Sequence, residues 1–353
     1  MKKLERDQRQ SVVRFSILAT LLVVVCHTDD YIPAQWKTHA VKWLGETFSD
    51  ANVSNFFFLS GFLLAGRYHE RHWWLSALVK RAKSLVVPYV IWNAMFWGVF
   101  ALANLESARC NVFRAFGIGF NQLPIDLPLW YIKTLLYFVI LSPMAFFFSE
   151  QSTRFGMACG VLLLFHCLGT RFIPGFAHAL KYSFPLVGFT AFIAGGYCRI
   201  HELRLPCRLR QMSAVVPAVA WIVVSSTVYC IGKQPPELST LNEISEVFFM
   251  VWIASSLSLN TDNEIVGRLA SCTFFIYASH RFVLHVLLKT VRLPENSPDG
   301  IPCTTISMAF FFVLFLITTL ICASTALSIQ RISPRMASLL SGGRMKSKGA
   351  HNS

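Results

Sequence analysis

Long apolar runs separated by short polar breaks dominate the pattern of this chain. Runs long enough to cross a bilayer lie near residues 12 to 28, 52 to 66, 84 to 103, 127 to 148, 156 to 172, 182 to 198, 213 to 231, 246 to 260, 269 to 288 and 304 to 328. A helix rises 1.5 Å per residue, so about 20 apolar residues cover the hydrocarbon core. Helix breakers and charges fall between the runs: Pro124 and Asp126, Pro174 and Gly175, Pro206, Pro235 and Pro236, Pro294, and Pro298. The pattern predicts an all-α integral membrane protein of about ten transmembrane helices. Residues 1 to 340 form one polytopic domain, and the polar stretch from Ser341 to Ser353 reads as a disordered tail.

Composition agrees with this reading. Of 353 residues, 54% are apolar and 14% charged, with a mean hydropathy of +0.50, too hydrophobic for a soluble domain of this size. The net charge of +14 does not form one basic patch, so nucleic acid is not an expected partner, while membrane lipid is. With the N-terminus inside, 21 of the Lys and Arg residues fall in inner segments and nine in outer loops, leaving Lys133 and Arg281 within spans. That bias predicts cytoplasmic placement of both termini. Lys2, Lys3, Arg6 and Arg9 precede the first span as in a signal peptide, but no small-residue cleavage site follows, so the span reads as a retained helix. Ten cysteines occur without a Cys-x-x-Cys pair, which indicates neither a metal site nor a redox motif. Cys110 and Cys303 fall in predicted outer loops, where a disulfide between them is one option.

Chemistry is most conspicuous at His27, in the first span. An ionisable group inside a bilayer is costly and so a candidate functional site, and imidazole exchanges a proton near neutral pH. Asp30 follows at i+3, on the same helical face, where it can orient the ring. Arg14 stands thirteen residues earlier, about 20 Å away along a helix, at the cytoplasmic mouth. A capping histidine at the outer interface is the equal alternative. Lys80, Arg81 and Lys83 cluster where the third span begins; they suit phosphate groups, but attraction to anionic lipid explains them more cheaply and is favoured on the residues alone. Gly61, after Ser60, suits close helix packing. Trp130 and Tyr131 open the fourth span as an aromatic belt would. His280 and Arg281 sit together inside the ninth span, with Tyr277 one turn before, and polar groups there need partners or a water-filled cavity.

In order along the chain come Leu-Leu-Val-Val-Val-Cys-His27, Phe57-Phe-Leu-Ser-Gly-Phe-Leu-Leu64, the basic run into Pro88-Tyr89 with Trp92, Leu129-Trp130-Tyr131 ending near Pro143, Phe192-Ile-Ala-Gly195-Gly196-Tyr197, and Phe275-Ile-Tyr277-Ala-Ser-His280. Each motif is weak alone, but in this order and spacing the chain resembles membrane-bound acyltransferase family 3, which includes bacterial glycan O-acetyltransferases. The resemblance implies a ten-helix enzyme of the bacterial cytoplasmic (inner) membrane. It would pass an acyl group, usually acetyl from acetyl-CoA as co-substrate, to a hydroxyl of a cell-surface glycan or lipid-linked sugar. No permanently bound cofactor is expected. Family members often carry an Arg eleven residues before the histidine, where this chain has Ser16, with Arg14 two residues earlier. The family's arginines three apart are replaced here by Lys80, Arg81 and Lys83, with Ser84 next.

Acyl transfer to a hydroxyl needs a base for the acceptor proton and a donor group for the thioester oxyanion. His27 is the expected base, with Asp30 orienting it. Arg14 or the Lys80, Arg81 and Lys83 cluster would face the CoA pyrophosphate, and Trp130, Tyr277 and His280 would line the acceptor path. Ser60 and Cys26 are conceivable nucleophiles, but neither has an activating base by spacing. The competing class is a transporter or flippase for a lipid-linked glycan. The inverted repeats and paired broken helices of many transporters are not visible in the sequence.

Overall fold

A computed structural model describes residues 4–33, 36–49, 52–102, 112–119, 122–231, 235–290 and 304–345, and these are helical with no strand among them. Cys110, Cys303, Pro294 and Pro298 lie outside the described residues. Helix α1 (Arg6–Asp30) begins at a capping box in which Glu5 and Gln8 exchange backbone bonds, satisfying donors the first helical turn leaves free. Helices α2 (His39–Ser49) and α3 (Asn52–Ala65) follow. Next, α4 (Trp73–Arg81) and α5 (Val87–Leu102) are joined by a π-turn at Ala82–Val86 into one long element. After α6 (Val112–Ala115), a 3-10 turn at Leu127–Leu129 leads into α7 (Trp130–Ile140) and α8 (Ser142–Ser149). The remainder is α9 (Ser152–Phe172), α10 (Phe176–Lys181), α11 (Leu186–Ile200), α12 (Cys207–Gln211), α13 (Val215–Cys230), α14 (Pro236–Ser256), α15 (Glu264–Thr290), α16 (Thr304–Ile332) and α17 (Pro334–Leu340).

Every apolar run found in the sequence coincides with a helix or a pair of joined helices. Among the described residues, five elements are long and apolar enough to cross a membrane: α1, α4 with α5, α9, α15 and α16. A sixth arises if α7 and α8, bent by 65°, count as one broken span. Pro143 sits at that bend, where its ring removes a helical donor. The span expected from residue 246 starts instead at Pro236. A proline at the first helical position loses no bond, so Pro235 and Pro236 open the helix as well as ending the loop. The third span likewise extends back to Trp73, taking the basic cluster into a helix.

Packing explains which faces point where. The closest pair is α3 against α11: a Cβ on Gly61 would lie 2.0 Å from the Phe192 carbonyl oxygen, and one on Gly195 would lie 2.0 Å from that of Phe58. Only glycine admits backbones this near. Around the contact, Phe138 meets Phe57 at 4.6 Å and Phe189 at 4.9 Å between ring centroids, within the range where tilted aromatic pairs attract. A second core gathers Phe15 and Ala19 of α1, Val41 and Leu44 of α2, and Met250 of α14. Helix α9 is the opposite case, because only 6% of its apolar window is buried. An apolar helix so uncovered belongs against lipid. Described structure also continues past Ser341, with Ser341 and Met345 both buried.

Candidate functional site

His27 lies in the last turn of α1, and its Nδ1 is 2.8 Å from Asp30 Oδ2. A carboxylate accepts only, so the geometry places the proton on Nδ1 and leaves the Nε2 lone pair free to act as a base. Two features separate this arrangement from a simple cap: the partner is a carboxylate, and a second imidazole faces the first. His280, fully buried on α15, has its ring centroid 5.2 Å from that of His27. His280 Nδ1 donates to the Ile276 carbonyl at 3.2 Å, while its Nε2 is buried without a hydrogen-bond partner. Helical periodicity of α15 therefore aims His280 at α1, and the two helices pack along each other.

From His280 a line of aromatic rings runs back into the protein. Tyr277 is 6.3 Å from His280 and 6.1 Å from Tyr131, centroid to centroid. The Tyr277 hydroxyl donates to the Pro128 carbonyl. Tyr131, the second residue of α7, shares a 2.9 Å hydrogen bond with the Ser60 hydroxyl. Arg81 and Arg344 both act electrostatically on the Tyr131 hydroxyl. One line of side chains thus runs from Tyr131, which feels the charges of Arg81 and Arg344, to the histidine pair.

The expected site residues divide accordingly. His27, Asp30, His280 and Tyr277 come together, and Arg81 acts electrostatically on the Tyr131 end of their line. Lys80 and Lys83 are exposed on the outside of the same segment. Arg14 is engaged elsewhere, its Nε donating to the Leu259 carbonyl at 2.8 Å and its Nη2 to Gln10 Oε1 at 3.3 Å. Beside it, Arg6 pairs with Asp262, so this face of α1 anchors the segment between α14 and α15. Trp130 packs edge-on against Tyr182 at 5.3 Å, and its neighbour Tyr131 is the aromatic residue in the line.

Three residues that sequence reasoning did not assign complete the histidine end. Arg281 Nε donates to the Tyr31 hydroxyl at 3.1 Å. Asp126 is fully buried, and among the described residues neither of its carboxylate oxygens has a hydrogen-bond partner. Burial pushes its carboxyl well above the usual carboxylate range, against an opposing pull from Arg281. Its backbone N–H is held by Asn93 Oδ1 at 3.2 Å, which fixes the residue just before the 3-10 turn. In the sequence Asp126 signals only a break between spans. An acid immediately ahead of Leu-Pro-Leu-Trp-Tyr is the feature that could have marked it.

Comparison with known proteins follows the same outline. The acyltransferase domain family, Acyl_transf_3, matches residues 17–327. The chain is similar to the succinoglycan biosynthesis protein ExoH of Rhizobium meliloti, at 22% identity over 96% of this chain and 93% of that protein. No solved structure matches. The match over nearly the whole chain shows that this protein belongs to the acyltransferase 3 family.

Proposed function

We propose that this membrane acyltransferase moves an acetyl group from acetyl-CoA to a hydroxyl of a cell-surface glycan or glycolipid, at the His27 and His280 centre. The observation that carries this reading is the His27–Asp30 pair at 2.8 Å, facing a second buried histidine at the end of a line that begins at Tyr131. His27 Nε2 takes the acceptor hydroxyl proton as the oxygen attacks the thioester carbonyl. The tetrahedral oxyanion then collapses, the carbon–sulfur bond breaks, and the thiolate leaves with the proton returned by the imidazolium. Asp30 stabilises the charged ring during the step. Arg81 faces the donor's phosphates as the inward-turned member of the basic cluster, while Lys80 and Lys83 serve the lipid surface. Tyr277 and His280 line the path to the acceptor. The succinoglycan role in the name of the R. meliloti relative supports a glycan as acceptor.

In this reading both termini are cytoplasmic, and the protein makes ten crossings of a bacterial inner membrane. The bent pair α7 and α8 together with α3, α11, α13 and α14 would supply the other five crossings beside the five long elements. The test is direct. Membranes containing the protein, incubated with labelled acetyl-CoA, should transfer label to glycan, and His27→Gln membranes should not. Glycan that stays unlabelled with correctly inserted wild-type protein would overturn the assignment, since transport alone leaves no acetyl mark.

A further inference from the structure

Past α17, the chain turns back over the start of α5. Gly342 and Gly343 both adopt positive φ, at 62° and 81°, a region that favours glycine. A Cβ on Gly342 would lie 2.0 Å from the Ser84 carbonyl oxygen. That carbonyl is the one an α-helix would bond to the N–H of residue 88, and Pro88 has none. The π-turn at Ala82–Val86 therefore offers an irregular backbone on which residues 341–345 rest, and such turns recur at functional sites. Trp92 Nε1 fastens the approach by donating to the Leu340 carbonyl at 3.0 Å.

The turn delivers Arg344. Its guanidinium lies 4.5 Å over the Phe274 ring and donates to the Ser341 carbonyl at 2.9 Å. Although the residue keeps accessible surface, packing around the guanidinium and the charge of Arg81 pull its pKa down to about 10. Arg81 and the Tyr131 hydroxyl act electrostatically on Arg344, and Arg67 and the same hydroxyl act on Arg81, with no carboxylate among these groups. Like charges held together without an acid repel, and a bound anion relieves that repulsion.

We propose that Arg344, carried by the Gly342–Gly343 turn, is the second guanidinium of a phosphate seat with Arg81, and that residues 341–345 are part of that seat. Paired planar guanidiniums suit phosphate oxygens. The seat rests on the donor-binding reading above where the phosphate is that of CoA. A phospholipid headgroup carries the same chemistry.

Equilibrium binding of CoA to the full-length protein in neutral-lipid nanodiscs would test this, using wild type, Arg344→Gln, Arg344→Lys and Arg81→Gln. A parallel arm measures retention of phosphatidylglycerol by the same variants in detergent. Arg344→Gln should weaken phosphate binding roughly 10- to 100-fold, as loss of a charge-assisted contact does, with Arg344→Lys recovering part. An effect in the CoA arm identifies the donor as the phosphate source; an effect confined to phosphatidylglycerol identifies lipid, and supports the seat equally. Unchanged binding in both arms for folded Arg344→Gln would overturn the proposal. If Arg81→Gln still weakens CoA binding in that case, the donor reading stands without residues 341–345. CoA affinity unchanged in Arg81→Gln as well removes Arg81 from the donor site.

Discussion

The catalytic assignment turns on what the Nε2 lone pair of one imidazole does. His27→Gln keeps a hydrogen-bonding side chain near Asp30 but cannot take a proton at neutral pH. Acetyl transfer should fall by about 10²- to 10⁴-fold with insertion unchanged, as loss of a general base predicts. Activity that follows protein abundance instead would identify His27 as the capping residue that its place in the last turn of α1 allows. Asp126 gives a different prediction. Its pKa is raised by folding, so the folded state binds a proton that the unfolded chain gives up near pH 3.9. The cost of keeping that carboxyl buried therefore grows as pH rises above the unfolded value. Asp126→Asn is neutral at every pH and escapes this cost. Thermal unfolding of the solubilised protein at about pH 5 and about pH 8 should show the variant gaining stability over wild type as pH rises. An equal difference at both values would mean that Asp126 is ionised where it lies.

At the scale of elements, the sequence displayed its helices and hid their joints. Apolar runs are long enough to be unmistakable, but Pro236 could be read as an end or a beginning, and only the structure shows it opening α14. Lys80, Arg81 and Lys83 interrupt an apolar pattern, yet they continue a helix that starts at Trp73. Gly61 was legible as a close-packing residue because nothing else explains a glycine in an aromatic run. Its partner Gly195 could be identified only once α3 and α11 were side by side. This contact makes a sharp stability prediction. Gly61→Ala or Gly195→Ala drives a methyl group into a backbone carbonyl, so the helices must separate, costing at least the ~1 to 3 kcal/mol typical of overpacking. Gly156→Ala in α9 is the control, since a Cβ there meets nothing within 4 Å. It should hold or raise stability by up to about 1 kcal/mol through helix propensity. Equal unfolding temperatures for the two classes of variant would show that α3 and α11 are not in backbone contact.

Across the whole molecule, single polar residues in spans were visible in the sequence, whereas the line joining them was not. His27 and His280 are more than 250 residues apart in the chain, and periodicity alone does not pair α1 with α15. Tyr131 resembled an interfacial aromatic, and Asp126 resembled a loop charge, because their roles depend on α3, α5 and α15 converging around them. Orientation, by contrast, was read from charge alone, and it decides from which side CoA must arrive. If the proposed reading holds, Arg81 lies on the cytoplasmic side, and the donor would enter there and reach the histidines along the tyrosine line. Reporter fusions after Lys83, Arg210 and Ser353 should accordingly read as cytoplasmic, and fusions near Lys42, Arg114 and Pro236 as external, following the Lys and Arg bias. The Arg210 fusion discriminates best, because it lies in α12 between α11 and α13, both shorter than any of the five long elements. An external signal at Arg210 alone would remove one crossing on each side of it while leaving α1 and the Arg81 end in place. An external signal at Lys83 would put the cationic end on the wrong side for cytoplasmic CoA, and the donor path from Arg81 to His27 would fall with it.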